Sequence, residues 1–231
     1  MGWTAALLRS VRVMSLLVAV SSLAWAPSIA HADEPFGSED AARLARGDTL
    51  TFEQTVEKAH RRYVGGITYT VVDGNVSELT TLLEDVRAYR QLLPHTKQAR
   101  LIGVNGDDFF VELRQGTSLL ETTYTIRVRR EEGGRLFRFW LDPTKPHGIA
   151  DAWGFFRISP LRGDGGGDGV GLVAGGTADG PRVLLTYGIL VDVGPGIVRD
   201  LFEARLRTLV LTVPQLVRQY AFAHFRTGGR A

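Results

Sequence analysis

The side chains able to do chemistry in this chain are few and scattered. Tyr124, Tyr187 and Trp153 each put a polar tip on an aromatic body within strand-like runs. Each can orient the head group of an otherwise apolar molecule, or be satisfied by backbone instead. His147 and Asp151, with Asp142, make the nearest approach to an acid/base cluster. Pro143 and Pro146 stiffen that segment into a loop, where polar side chains are more often solvated. His60, His95 and His224 stand far apart and show no paired zinc-ligand spacing. The run from Asp164 to Gly169 alternates aspartate with glycine only once, whereas calcium-binding turns of that kind stack in repeats, so it reads as a flexible hairpin insertion. The chain contains no cysteine, which excludes disulfides, thiolate catalysis and iron–sulfur clusters. It contains no phosphate loop, dinucleotide fingerprint or Gly-x-Ser-x-Gly elbow. Neither a metal nor an organic cofactor is expected.

The first segment reads as an address. Arg9 and Arg12 precede an apolar run from Val13 to Ala26, Pro27 breaks it, and Ala30-His31-Ala32 offers a small-x-small cleavage site. The run is too short for a bilayer-spanning helix, which needs about 20 apolar residues. Residues 1–32 are therefore predicted to be a cleaved signal peptide, placing the mature protein in the periplasm or outside the cell. Of the 27 basic and 25 acidic residues, only Arg9 and Arg12 lie in that segment. The mature chain is thus electrically balanced, without the basic surface a nucleic-acid partner requires. A monomer is expected, with one domain of ordinary size at 63–226, a partly ordered leader at 33–62 and a tail at 227–231.

The elements that must position the polar groups follow from periodicity. A strand is predicted from Tyr63 to Val72, opening at Gly65-Gly66. Asp73-Gly74-Asn75 turns the chain, Ser77 resembles an N-cap, and one or two short helices run through Leu79, Leu82, Leu83 and Val86 to Pro94. Six further strands are predicted over Lys97–Val104, Asp108–Arg114, Leu119–Arg130, Arg135–Leu141, Asp151–Leu161 and Pro181–Val193. After Gly194-Pro195-Gly196 the residues Val198, Phe202, Leu206, Leu209, Val213, Leu216 and Tyr220 draw one apolar helical stripe, which Pro214 should kink. Arg199, Arg205, Arg207 and Arg218 lie mostly off it, on a solvated face or one that touches membrane head groups. Alternation puts Phe109, Val111, Leu113, Tyr124, Ile126, Phe137, Phe139, Tyr187 and Ile189 on the buried face of the sheet, opposite the helix stripe. Such a face can interlock as a solid core or line a cavity.

One strand, a short helical pair, six antiparallel strands and a long amphipathic helix is an order that resembles the START and polyketide-cyclase-like (SRPBCC, helix-grip) superfamily, in its bacterial coenzyme-Q-binding-like or cyclase/dehydrase branch. The likeness covers roughly residues 60–225. It rests on Val71–Ser77, Leu82–Pro94, Ala152-Trp153-Gly154-Phe155-Phe156 and Val213–Leu216. It implies an α+β fold in which a curved antiparallel sheet of about seven strands wraps a long C-terminal helix. It also implies an apolar pocket for a lipid-like or isoprenoid ligand, lined by the sheet residues just named together with Trp153, Phe156, Phe202, Leu206, Leu209, Val213 and Leu216. Some members of the superfamily are cyclases or dehydratases, which implies the alternative activity on a polyketide-like substrate in the same place.

Overall fold

A computed structural model describes residues 37–116, 121–161, 180–192, 194 and 197–227, excepting the side chains of 197–202, 226 and 227. The expected signal peptide, the glycine-rich insertion and most of the tail lie outside these residues. The elements are α1 (Ser38–Ala45), β1 (Thr49–Lys58), β2 (Arg61–Asp73), α2 (Val76–Glu84), a 3₁₀ turn (Val86–Ala88), α3 (Tyr89–Leu92), β3 (Thr96–Asn105), β4 (Asp108–Gly116), β5 (Glu121–Glu131), β6 (Leu136–Leu141), β7 (Asp151–Pro160), β8 (Arg182–Asp192), α4 (Ile197–Leu211) and α5 (Val213–Thr227). The strands form one antiparallel sheet in the order β1-β2-β8-β7-β6-β5-β4-β3.

The sheet has eight strands rather than about seven. The additional one, β1, lies in the segment read as a leader and pairs along its whole length with β2. Its sequence, TLTFEQTVEK, sets Leu50, Phe52 and Val56 on one side and polar residues on the other, but as an edge strand it stays wet over most of that surface. Leu50 is its one buried residue, joining Leu44 of α1, Val71 and Leu184 in a small cluster on the outer face of the sheet. That cover explains why β2 and β8 are almost continuously buried along their middles, on both faces.

The cap of α2 is Asn75 rather than Ser77. The Asn75 side chain accepts from the Glu78 amide and the Glu78 carboxylate accepts from the Asn75 amide, a reciprocal box that sets Leu79, Leu82 and Leu83 facing inward. The helical pair packs with α5 against the inner face of the sheet in the main hydrophobic cluster.

The C-terminal helix is divided in two. Thr212 separates α4 from α5, and Pro214 falls in the first turn of α5, where a missing backbone donor costs little. The amide of Gln215 turns to the Thr212 carbonyl, and the freed carbonyl of Leu211 accepts from the Thr68 hydroxyl at 3.3 Å. Thr68 is fully buried on the inner face of β2, so the sheet itself satisfies the break. The two helices also bury different faces. Val213, Val217 and Ala221 enter the core, whereas Leu206, Leu209 and Leu216 are only half-buried. The continuous stripe read from the sequence is thus corrected within α5 by about one residue. Phe202 and Val198 lie where only the backbone is described.

Candidate functional site

The inner face is built by the central strands. From β4 come Phe109, Val111 and Leu113; from β5, Tyr124 and Ile126; from β6, Phe137 and Phe139; from β7, Phe156; from β8, Tyr187 and Ile189. All belong to, or pack against, one cluster that also takes in Val213 of α5. The registers Phe109↔Val128, Val111↔Ile126 and Leu113↔Tyr124 keep them on one side across β4 and β5. Phe137↔Phe156 and Phe156↔Tyr187 continue it across β6, β7 and β8.

A glycine makes the aromatic centre possible. A Cβ on Gly154 would lie 2.5 Å from the Phe139 ring and 2.2 Å from the Gly188 carbonyl, so only glycine lets the ring lie down over β7. Phe139, Phe156 and Tyr187 then pack as a triad, with centroids 5.8, 6.1 and 4.6 Å apart. Val111, Leu113, Phe137 and Tyr187 are buried, whereas Phe109, Tyr124, Phe156 and Ile189 are half-buried.

Trp153 is placed elsewhere. It lies three residues before Phe156 in an unbulged strand and pairs in register with Trp140, so it belongs to the outer face. Period-two alternation excludes Trp153 and Phe156 from the same side. The polar tip expected of it therefore does not reach the inner face.

Three polar side chains there escaped the sequence reading. The Tyr124 hydroxyl donates to Gln115 Oε1, and Gln115 Nε2 donates to the Thr96 hydroxyl at 2.7 Å and to the Pro94 carbonyl at 3.2 Å. Thr122 lies opposite Gln115, and its hydroxyl is buried without a hydrogen-bond partner. The signal for Gln115 and Thr122 was available, since each lies two residues from a predicted lining residue on the same strand. Burial pushes the Tyr124 and Tyr187 hydroxyls far above the usual tyrosine range, so both stay protonated.

The loop cluster does not assemble. His147 is exposed and its Nδ1 lies 2.7 Å from the Ile149 carbonyl. Asp142 accepts from the Thr144 amide and hydroxyl, which lowers its carboxyl below the usual range. Asp151 accepts from the Tyr63 hydroxyl at 2.8 Å and pairs with Arg61 at 3.3 Å. Among the described residues, no group of three or more histidines and carboxylates is placed to hold a metal ion.

Charge gathers on the outer face and at the ends. Asp108 binds Arg127 and Arg129, and both guanidinium groups lie over the Trp140 ring, at 5.1 and 5.7 Å. Arg207 reaches Glu53, Thr55 and Glu203, while Arg62 binds Glu203 through two hydrogen bonds, so α4 is tied to β1 and β2. Arg218 donates to the Gly47 carbonyl and the Thr70 hydroxyl. Two of the arginines expected on a free helix face are therefore engaged within the protein. A solvent-open cleft of about 450 Å³ lies beside Arg218, between Arg46, Val71, Arg182 and Phe222, away from the inner-face residues.

The Asp108 triad gives a pH-dependent expectation. Hydrogen bonds from Arg129 and Arg127 hold the carboxyl far below its ordinary value, so the native state binds fewer protons than the unfolded chain. Its stabilisation is complete above the unfolded value of about 3.9 and is lost as pH falls toward the depressed native one. With Arg127 and Arg129 33% and 43% exposed, solvent screening reduces the effect. Asp108→Asn should lower the unfolding free energy at neutral pH by about 1–3 kcal/mol. Urea melts of both proteins should converge as the pH is taken below about 4; a gap that persists unchanged there rules the ion triad out as its cause.

No protein-family model and no curated protein matches the chain. Solved structures do. A STAR-related lipid transfer protein from Xanthomonas axonopodis superposes with a TM-score of 0.53 at 17% identity, over 75% of this chain and 93% of that one. The Zhui aromatase/cyclase from Streptomyces sp. R1128 superposes with a TM-score of 0.51 at 16% identity, over 79% and 99%. A protein from Thermus thermophilus follows with a TM-score of 0.50 at 12% identity, over 68% and 96%. The chain has the START and polyketide-cyclase-like helix-grip fold, and at these identities the likeness extends to the fold.

Proposed function

We propose that this helix-grip domain binds a hydrophobic, lipid-like or isoprenoid molecule against the inner face of its sheet, beneath α4 and α5, and carries it outside the cytoplasm. One observation carries the reading. The inward side chains described on β4 to β8 are apolar and aromatic, interrupted by tyrosine and threonine hydroxyls and one carboxamide, while the charged groups of these strands are turned to the outer face or the strand ends. Such a surface gains about 25 cal/mol for each Å² of apolar ligand area it removes from water. Its few hydroxyls set orientation. The solved lipid transfer protein of similar fold supports the same reading.

The aromatase/cyclase of similar fold supports a second reading, turnover of a polyketide-like substrate at the Tyr124–Gln115 pair. It is less favoured because general acid–base chemistry works best with a group titrating near the operating pH. The inward tyrosines are driven away from that range by burial.

Export is proposed from the N-terminal sequence pattern. The mature protein, purified gently and analysed by native mass spectrometry, should begin at Asp33 and carry an extractable hydrophobic small molecule that exchanges with lipid vesicles. An intact Met1 on protein recovered from the cell envelope overturns export. A chain that remains empty in the presence of vesicles overturns binding.

A further inference from the structure

Most arginines of this protein are matched by carboxylates: Arg62 by Glu57 and Glu203, Arg127 and Arg129 by Asp108, Arg130 by Glu84 and Asp107, Arg207 by Glu53 and Glu203. The solvent-open cleft of about 450 Å³ departs from that pattern. Three arginines from distant segments line it, Arg46 at the C-cap of α1, Arg182 at the start of β8 and Arg218 in α5, against a single carboxylate, Asp73. Arg218 is anchored through Nη1, which donates to the Gly47 carbonyl at 2.5 Å and to the Thr70 hydroxyl at 3.3 Å, so Nε and Nη2 remain as donors. Arg46 is 64% exposed and keeps only a 3.7 Å contact with Asp48. Arg182 lies opposite Asp73 in the β2–β8 ladder, and no carboxylate among the described residues pairs with it. The cleft therefore holds a local excess of two positive charges in a chain whose charges otherwise balance.

We infer that this cleft is an anion site that takes a phosphate monoester. Such a group carries about −1.5 to −2 charges at neutral pH and three acceptor oxygens, which matches both the charge excess and the number of guanidinium groups. Guanidinium forks give phosphate directed, charge-assisted hydrogen bonds rather than a diffuse attraction. Anchoring of Arg218 by backbone and hydroxyl holds one of the three in place before the anion arrives. Val71 and Phe222 supply an apolar side to the same cleft, against which the organic part of the ester rests. The site goes beyond the proposed hydrophobic ligand, because α5 turns Arg218 and Phe222 to the cleft while Val217 and Ala221 enter the core.

Calorimetric titration of the purified protein with inorganic phosphate and with phenyl phosphate at low ionic strength should show saturable binding that added salt weakens. Phosphatidylcholine vesicles with and without phosphatidate separate the two sources of the group: retention on the phosphatidate vesicles assigns a lipid head group, and binding of the dissolved phosphates without retention assigns a soluble ester. Arg182→Gln should weaken binding about tenfold, the loss of one charge-assisted partner. Arg46→Gln combined with Arg182→Gln should abolish it while urea melts stay unchanged, since neither side chain has a strong partner within the protein. Arg100→Gln, on β3 at the far edge of the sheet, should leave binding intact. Absence of binding to the phosphates and the vesicles alike, binding that survives the double substitution, or an equal loss in Arg100→Gln overturns the inference. None of these results bears on the hydrophobic ligand, because the substitutions leave the inner face untouched.

Discussion

Gly65→Ala should lower the unfolding free energy by at least about 3 kcal/mol, well beyond the usual effect of adding one methyl group. Gly65 and Gly66 lie within β2 at φ of 157° and 150°, on the far side of the extended region that side chains rarely adopt. A Cβ on Gly65 would lie 1.9 Å from the Ile189 carbonyl oxygen, and one on Gly66 would lie 2.1 Å from that of Phe52. These are backbone atoms of the two strands flanking β2, so relief requires the strands to part. The damage should reach the site, because Ile189 and Tyr187 pair with Gly66 and Thr68 in the same ladder. Loss of stability in urea melts should therefore be accompanied by loss of lipid uptake from vesicles. Gly37→Ala, where a Cβ would meet nothing within 4 Å, should be nearly neutral. Equal effects at the two positions would falsify the account of close backbone approach.

Val217→Asp should be at least as severe, costing about 4 kcal/mol or more and threatening the cooperative fold. Val217 is fully buried in the middle of α5, flanked one turn away by Val213 and Ala221, which enter the same cluster. A carboxylate there has apolar neighbours and must either remain charged without a partner or be protonated at a cost. The matched substitution Leu216→Asp, one residue earlier and half-buried, should cost no more than about 1 kcal/mol. Near-ultraviolet circular dichroism and urea melts of the two proteins give the test. A larger loss at Leu216 would show that α5 is seated on the other face.

These substitutions mark where local pattern ends. Phe109, Val111, Leu113, Tyr124, Ile126, Phe137 and Phe139 could be assigned to one face from alternation because each strand is regular over those residues and the opposite face carries charge, as Arg127, Arg129 and Arg138 show. The same alternation separates Trp153 from Phe156; the motif that joined them in the sequence reading spans an odd interval. β1 was less legible. Its alternation of Leu50, Phe52 and Val56 is short and broken by Gln54, and the strand is held by its hydrogen bonds to β2 rather than by burial.

The sequence alone determined the order of the elements from β2 onward, the inner faces of β4, β5 and β6, and an irregularity of the C-terminal helix close to Pro214, because these follow from residue type and spacing along the chain. Only the tertiary structure decided which polar groups found partners. Tyr124 is occupied by Gln115 and Asp151 by Tyr63 and Arg61, whereas the Thr122 hydroxyl remains unmatched. It also decided which face of α5 is buried, since the break at Thr212 resets the helical phase against the sheet. Periodicity is a local property of the chain, while a hydrogen bond or a packed face depends on what a distant strand brings to meet it.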